Sequence, residues 1–207
     1  RGYSQEHNLS VSGGSEKVKY MLSLGYLDNQ GVMNRWNLDS STQKINFRTN
    51  LEADITKWLK VGTRLYGQKQ DYGMANISNG FKYLYQTTPG VYPGEPNYWG
   101  RAALAGEESS NANNIFGQMA GATGFNSVWR VNASLYGTIT PYKGLSIEAT
   151  VNYSPTFRDK SSYSRQNGYW DYVTDQRVSE SALANASINN TSERSYRQGV
   201  EILARYN

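Results

Sequence analysis

The sequence predicts an all-β fold: an antiparallel up-and-down meander of about seven strands, of the kind that forms the wall of a transmembrane β-barrel. Three observations lead to this prediction. Apolar residues recur at every second position in successive segments, and the connections between those segments alternate between short and long. The composition also favours strands and turns, with 17 Tyr and 20 Gly among 207 residues.

The first two predicted strands, at residues 7–12 and 18–27, form a hairpin. Gly13-Gly14 separates them, and both glycines tolerate the positive φ angles of a tight turn. One face of the second strand is continuously apolar, with Val18, Tyr20, Leu22, Leu24 and Tyr26. A strand with one apolar face fits either the core of a sandwich or the wall of a transmembrane barrel.

The third predicted strand, residues 44–55, carries polar and charged side chains on the face opposite its apolar one. Its apolar face includes Ile45 and Phe47. A sandwich would turn the opposite face towards solvent, whereas a barrel would turn it towards the lumen. Arg48, Asn50 and Glu52 are therefore our lumen-facing candidates.

Four further strands complete the predicted meander, and each alternates in the same way. A tight turn at 56–58 leads to the fourth strand at 59–70. The fifth and sixth strands, 128–140 and 145–157, flank a turn at 141–144, where Pro141 fixes φ and Gly144 allows the return. The seventh strand begins near residue 193 and continues to the end of the chain.

The connections are sorted by length. The short ones are 13–17, 56–58 and 141–144, and the long ones are about 28–42, 71–126 and 158–190. Alternate connections of a meander emerge at the same end, so all the long loops share one end. This is the pattern of outer-membrane barrels, with short periplasmic turns and longer extracellular loops. A short helix at 79–87 is expected within the second long loop.

Aromatic residues of the long loops are the candidates for contact with a ligand or a partner protein. They are Tyr92, Tyr98, Trp99, Tyr169 and Trp170. Tyr and Trp rings stack on the flat faces of sugars, and protein interfaces are enriched in the same residues. The alternative is that these rings pack the loops against each other.

The sequence gives no indication of an enzyme, a cofactor or a metal site. It has no cysteine and a single histidine, His7, and it contains neither a phosphate-binding loop nor a nucleophile elbow. The net charge of +4 is spread along the chain, which argues against a nucleic-acid surface. The mean hydropathy of −0.70 excludes a helical membrane protein.

Four stretches resemble the barrel of SusC-like TonB-dependent transporters, the outer-membrane glycan importers of Bacteroidetes. The stretches are residues 8–20 (NLSVSGGSEKVKY), 23–31 (SLGYLDNQG), 46–51 (NFRTNL) and 55–62 (ITKWLKVG). The resemblance is strongest over residues 5–70, and the pattern continues through residues 140–145 (TPYKGL) to the end.

The resemblance implies a 22-stranded barrel in the outer membrane of a Gram-negative bacterium, with a plug domain, a SusD-like surface lipoprotein and energy from the TonB complex. It implies uptake of a glycan or, less often, a peptide. We expect residues 1–207 to be a partial barrel domain that lacks the plug and the TonB box. The alternatives are a soluble, secreted β-sandwich that binds carbohydrate and a passive porin-type barrel.

Overall fold

A computed structural model describes residues 2–32, 39–74, 94–95, 98–101, 114, 116, 119, 122–164, 168–171, 174–177 and 186–206. Seven strands form its main sheet, in which every strand pairs antiparallel with the next along the chain. They are β1 (Tyr3–Gly14), β2 (Val18–Gln30), β3 (Thr42–Asp54), β4 (Leu59–Gly73), β7 (Ala122–Tyr142), β8 (Leu145–Ser164) and β11 (Ser187–Tyr206).

The predicted up-and-down meander is confirmed, and the structure lengthens most of its strands. The largest additions are at the long-loop end, where β7 begins at residue 122 instead of 128, and β8 ends at 164 instead of 157. Residues 159–162 are Asp-Lys-Ser-Ser, so no apolar alternation reveals this part of the strand. Backbone pairing with β7 and β11 holds it in the sheet.

Side-chain hydrogen bonds stabilise two of the three short connections, and a glycine shapes the third. Ser15 Oγ accepts hydrogen bonds from the backbone N–H groups of Lys17 and Val18, at 3.3 and 3.2 Å. Thr56 Oγ1 accepts from the N–H groups of Trp58 and Leu59, at 3.3 and 3.0 Å. Ser and Thr hydroxyls commonly stabilise turns in this way. In the third turn Gly144 has φ 94°, which glycine adopts without steric cost.

The register puts most apolar residues of the seven strands on the same face of the main sheet. Val18 pairs with Ala53, Ala53 with Val61, and the row continues through Gly137 and Ala149 to Ile202. Most of these apolar side chains are exposed; Val151, for example, is 50% exposed. No second sheet covers this face in the described part of the chain. A sandwich buries such a face against another sheet, so the sandwich interpretation does not describe this fold.

Four short strands from the long loops form a second sheet. They are β5 (Gly94–Glu95), β6 (Tyr98–Arg101), β9 (Tyr169–Asp171) and β10 (Gln176–Arg177), in the order β10-β9-β6-β5. Strands β6 and β9 pair in parallel and join the loop after β4 to the loop after β8. We call these four strands the loop sheet. The helix expected at 79–87 lies outside the described residues.

Candidate functional site

The polar face of the main sheet contains a depression. Side chains from β3, β4, β7 and β8 line one depression of about 330 Å³ on that face. Arg48, Asn50, Arg64, Tyr66 and Asn152 are among them. Arg48, Asn50 and Glu52, the lumen-facing candidates, alternate with the exposed residues Phe47 and Leu51 and therefore share the polar face.

Glu52 is the centre of a hydrogen-bonded cluster at the short-turn end of this face. Lys60 Nζ donates to Glu52 Oε1 at 3.1 Å, and Tyr136 Oη donates to Glu52 Oε2 at 2.9 Å. The Arg64 guanidinium lies 4.4 Å from the centre of the Tyr136 ring, a cation–π distance. The Glu52 and Lys60 side chains are about one-third exposed, so the ion pair contributes only about 0–1 kcal/mol.

Gly62 leaves the space that the Tyr136 ring occupies. The two residues are direct partners across β4 and β7, and a Cβ atom on Gly62 would collide with the ring. Glycine inside a strand often marks such a close approach. The missing side chain at position 62 therefore places the Tyr136 hydroxyl within reach of Glu52.

A second polar series follows β4 towards the long-loop end. The Arg48 guanidinium lies 5.6 Å from the centre of the Tyr66 ring. Tyr66 Oη donates to Gln68 Oε1 at 2.6 Å, and Gln68 Nε2 donates to Gln70 Oε1 at 3.2 Å. Alternate residues of one strand thus form a continuous polar lining. Such a lining suits a water-filled lumen.

On the opposite face, the apolar stretch of β8 is about as tall as the apolar band of a membrane barrel. On β8 the outward residues Leu145, Ile147, Ala149, Val151, Tyr153, Pro155 and Phe157 are all apolar or aromatic, and Asp159 is the first charged one. This stretch rises about 28 Å if the strand is tilted by about 45°. The apolar band of an outer-membrane barrel is about 25 Å tall.

Trp99 and Tyr169 form the core of the loop sheet. They are direct partners across β6 and β9, they are only 1% and 4% exposed, and Phe116 packs against them. Their burial leaves almost no ring surface for a ligand or a partner. This is the arrangement in which the loop aromatics pack the loops together. Tyr92 lies outside the described residues.

Tyr98 and Trp170 keep part of their surface open. Their ring centres are 4.4 Å apart, and Tyr98 Oη donates to Asp175 Oδ1 at 2.6 Å. Asp175 has φ 55°, the left-handed region that Asp adopts more readily than most residues. Among the predicted contact aromatics that the structure describes, Tyr98 and Trp170 are the two whose side chains are not buried.

Sequence reasoning missed the pairing of β6 with β9 and the hydrogen bond from Tyr98 to Asp175. Both join residues about 70 positions apart in loops without periodicity, so no local pattern indicates them. Among the described residues, no group of three or more His, Asp or Glu side chains could hold a metal ion. Within the same residues, no helix has the length and apolar character needed to cross a membrane.

Sequence relatives are TonB-dependent receptors. One from Formosa agariphila is 30% identical over 163 residues, which is 76% of this chain and 15% of the relative. The TonB-dependent receptor SusC of Bacteroides thetaiotaomicron is 26% identical over 95 residues, 46% of this chain and 9% of SusC. The chain thus spans a small fraction of the length of these relatives. No family model matches the sequence.

Solved structures of the RagAB peptide importer share the fold. In its closed-closed state the match has a TM-score of 0.70 and 20% identity, and it covers 98% of this chain and 22% of that one. The match to the open-open state has a TM-score of 0.71 and 19% identity. The sequence matches and the fold together identify this chain as a section of the barrel of a SusC-like TonB-dependent receptor.

Proposed function

We propose that the receptor containing this barrel section imports a nutrient across the outer membrane of a Gram-negative bacterium. The main support for the proposal is the uncovered apolar face of the main sheet. Exposure of this face to water is unfavourable, and contact with lipid avoids that exposure. The polar face then lines the lumen, with Arg48, Asn50 and Glu52 on it. Transport uses the TonB complex, acting through parts of the receptor outside this chain.

We further propose that the cargo is an oligosaccharide and that a SusD-like surface lipoprotein sits at the long-loop end. The ring pair of Tyr98 and Trp170 supports this, since aromatic faces serve both sugar stacking and protein contact. In this proposal the two rings lie where the lipoprotein and the cargo meet. A peptide is the alternative cargo that the experiment must include.

The experiment compares uptake by cells that carry the full-length receptor with uptake by cells from which it is deleted. A mixture of neutral and acidic oligosaccharides and short peptides is supplied, and mass spectrometry follows the loss of each component from the medium. We expect the receptor to deplete a subset of oligosaccharides only when TonB is present. Depletion without TonB would indicate a passive porin, and native receptor in the soluble fraction would contradict the proposal.

A further inference from the structure

Four arginines occupy the middle of the polar face, and no carboxylate accompanies them. They lie in the three rows of that face that pass through Asn46, Arg48 and Asn50 of β3 and extend from β1 to β11. The other members of these rows are hydroxyl, amide or small residues, together with Met21 and Tyr66. We call the four arginines the arginine belt: Arg48, Arg64, Arg130 and Arg197.

The carboxylates of the polar face lie beyond the belt at both ends. Glu52, Asp54, Glu148 and Glu201 are nearer the short turns, whereas Glu6 and Glu193 are nearer the long loops. Glu52 already accepts hydrogen bonds from Lys60 and Tyr136, and Arg158 forms an ion pair with Glu193 at 3.1 Å. None of the belt arginines forms an ion pair with a carboxylate of the described residues.

Arg48 and Arg64 are the two belt arginines that line the same depression. They are diagonal neighbours on β3 and β4, an arrangement that separates the two residues by about 7–8 Å, with their Cβ atoms somewhat closer. The rings of Tyr66 and Tyr136 lie beside the two guanidinium groups and limit their orientations. Both arginines line the depression of about 330 Å³.

The chemistry of the lining indicates which anion fits. A guanidinium offers a planar fork of N–H donors that matches the paired oxygens of a carboxylate or a phosphate, and a sulfate has the same tetrahedral arrangement of oxygens as a phosphate. The remaining walls supply amides and hydroxyls, from Asn50, Asn132, Ser134, Asn152 and Ser154. These groups hydrogen-bond the hydroxyls that surround such an anion on a sugar.

We propose that the arginine belt binds an oxyanion, a carboxylate or a sulfate ester, carried by the molecule that the receptor imports. The inference rests on the proposed import function and narrows its cargo to anionic molecules. The belt lies about midway along the wall, so it meets the cargo after the loops have released it.

The first test locates the anion directly. Crystals of the full-length receptor are grown in sodium selenate, whose selenium gives an anomalous signal. We expect an anomalous peak between Arg48 and Arg64 in the wild type and in the control Arg205→Gln, which removes an arginine of the same face outside the belt. The double variant Arg48→Gln/Arg64→Gln should lose the peak and keep the fold. An empty belt, or a carboxylate from another part of the receptor in its place, would overturn the proposal.

The second test measures selectivity in cells. The probes are neutral hexasaccharides and hexasaccharides of the same length that carry uronate or sulfate groups. The double variant should slow depletion of the anionic members by about tenfold, the loss expected for one charged hydrogen-bonded contact. It should leave neutral members unchanged, and Arg205→Gln should affect neither class. Equal slowing of both classes, or none, would contradict the belt's role.

The two tests separate failure of this inference from failure of the proposed function. If the wild type depletes nothing that the deletion strain leaves, the import proposal fails. The selenate peak still reports whether the belt binds an oxyanion. If the wild type imports but the double variant depletes anionic and neutral hexasaccharides at equally changed rates, the import proposal is kept and the proposal of an anionic cargo is rejected.

Discussion

Gly62 shows how one missing side chain organises the polar face. The Tyr136 ring lies over this glycine, and its hydroxyl donates to Glu52 on the other neighbouring strand. Three adjacent strands are thereby connected through side chains as well as through backbone hydrogen bonds. The same ring lies beside Arg64, so the position of a belt arginine depends on the glycine.

Replacing Gly62 with alanine should destabilise the barrel. The new Cβ would displace the Tyr136 ring and disturb its hydrogen bond to Glu52, at a cost of about 1–3 kcal/mol. The measurement is the temperature at which the full-length receptor loses its compact, fast-migrating form in unboiled gels. We expect this temperature to fall in Gly62→Ala.

Gly137→Ala is the matched control. Position 137 is also a glycine inside the sheet, but a Cβ there meets only the Lys60 carbonyl oxygen, at 3.9 Å. Its transition should therefore stay close to that of the wild type. Equal behaviour of the two variants would show that the ring does not depend on the space above Gly62.

Sequence reasoning could assign single residues to a face but not to a partner. The alternation of the third predicted strand places Arg48, Asn50 and Glu52 together, and the structure has them on one face. Nothing in the sequence indicates that Lys60 and Tyr136 both bind Glu52, because the partners come from other strands. The burial of Trp99 and Tyr169 depends in the same way on a contact between two distant loops.

At the scale of elements, the loop sheet connects two long loops that the sequence treats as separate. Its parallel pair, β6 and β9, is short and carries the buried rings of Trp99 and Tyr169. Parallel neighbours need a long connection between them, and here an entire hairpin of the wall, β7 and β8, provides it. The two loops should consequently move as one unit.

A cysteine pair can test this connection. Gly100 and Trp170 are direct partners across β6 and β9, so their Cα atoms lie within the range that a disulfide can bridge. In the full-length receptor, Gly100→Cys/Trp170→Cys should form a disulfide under mild oxidation. Protease digestion followed by mass spectrometry identifies the linked peptides. These 207 residues contain no other cysteine to compete.

Gly100→Cys/Gln176→Cys serves as the control pair. Gln176 lies on β10, two strands away from β6, at a Cα separation of about 10 Å that a disulfide cannot span. A link in the control pair, or none in the test pair, would contradict the order of strands in the loop sheet.

Elements also show where periodicity stops being informative. The apolar alternation of β8 ends at Phe157, and the sixth predicted strand ends there too. The strand itself continues to Ser164 because β7 and β11 pair with its polar end. Alternation reports contact with an apolar environment, not hydrogen bonding, so it marks the height of the apolar band and misses the part of the wall above it.

At the scale of the whole molecule, the two faces of the main sheet differ in charge as well as in polarity. The polar face carries ten Lys and Arg side chains and six Asp and Glu side chains. The apolar face carries two basic and three acidic side chains, and these five all lie towards the long-loop end. The mean hydropathy of the chain conceals this division, because it averages an apolar face with a polar face and gives a polar value. The register of the seven strands reveals it.

The most direct test asks whether one face of the main sheet contacts lipid and the other contacts water. Single cysteines at positions 149 to 152 of β8 are spin-labelled in the full-length receptor, reconstituted in lipid bilayers. Relaxation by oxygen, which partitions into lipid, is compared with relaxation by a water-soluble nickel chelate. We expect a period of two: labels at Ala149 and Val151 respond to oxygen, and labels at Thr150 and Asn152 respond to nickel. Equal nickel accessibility at all four positions would show that the apolar face does not lie in a membrane.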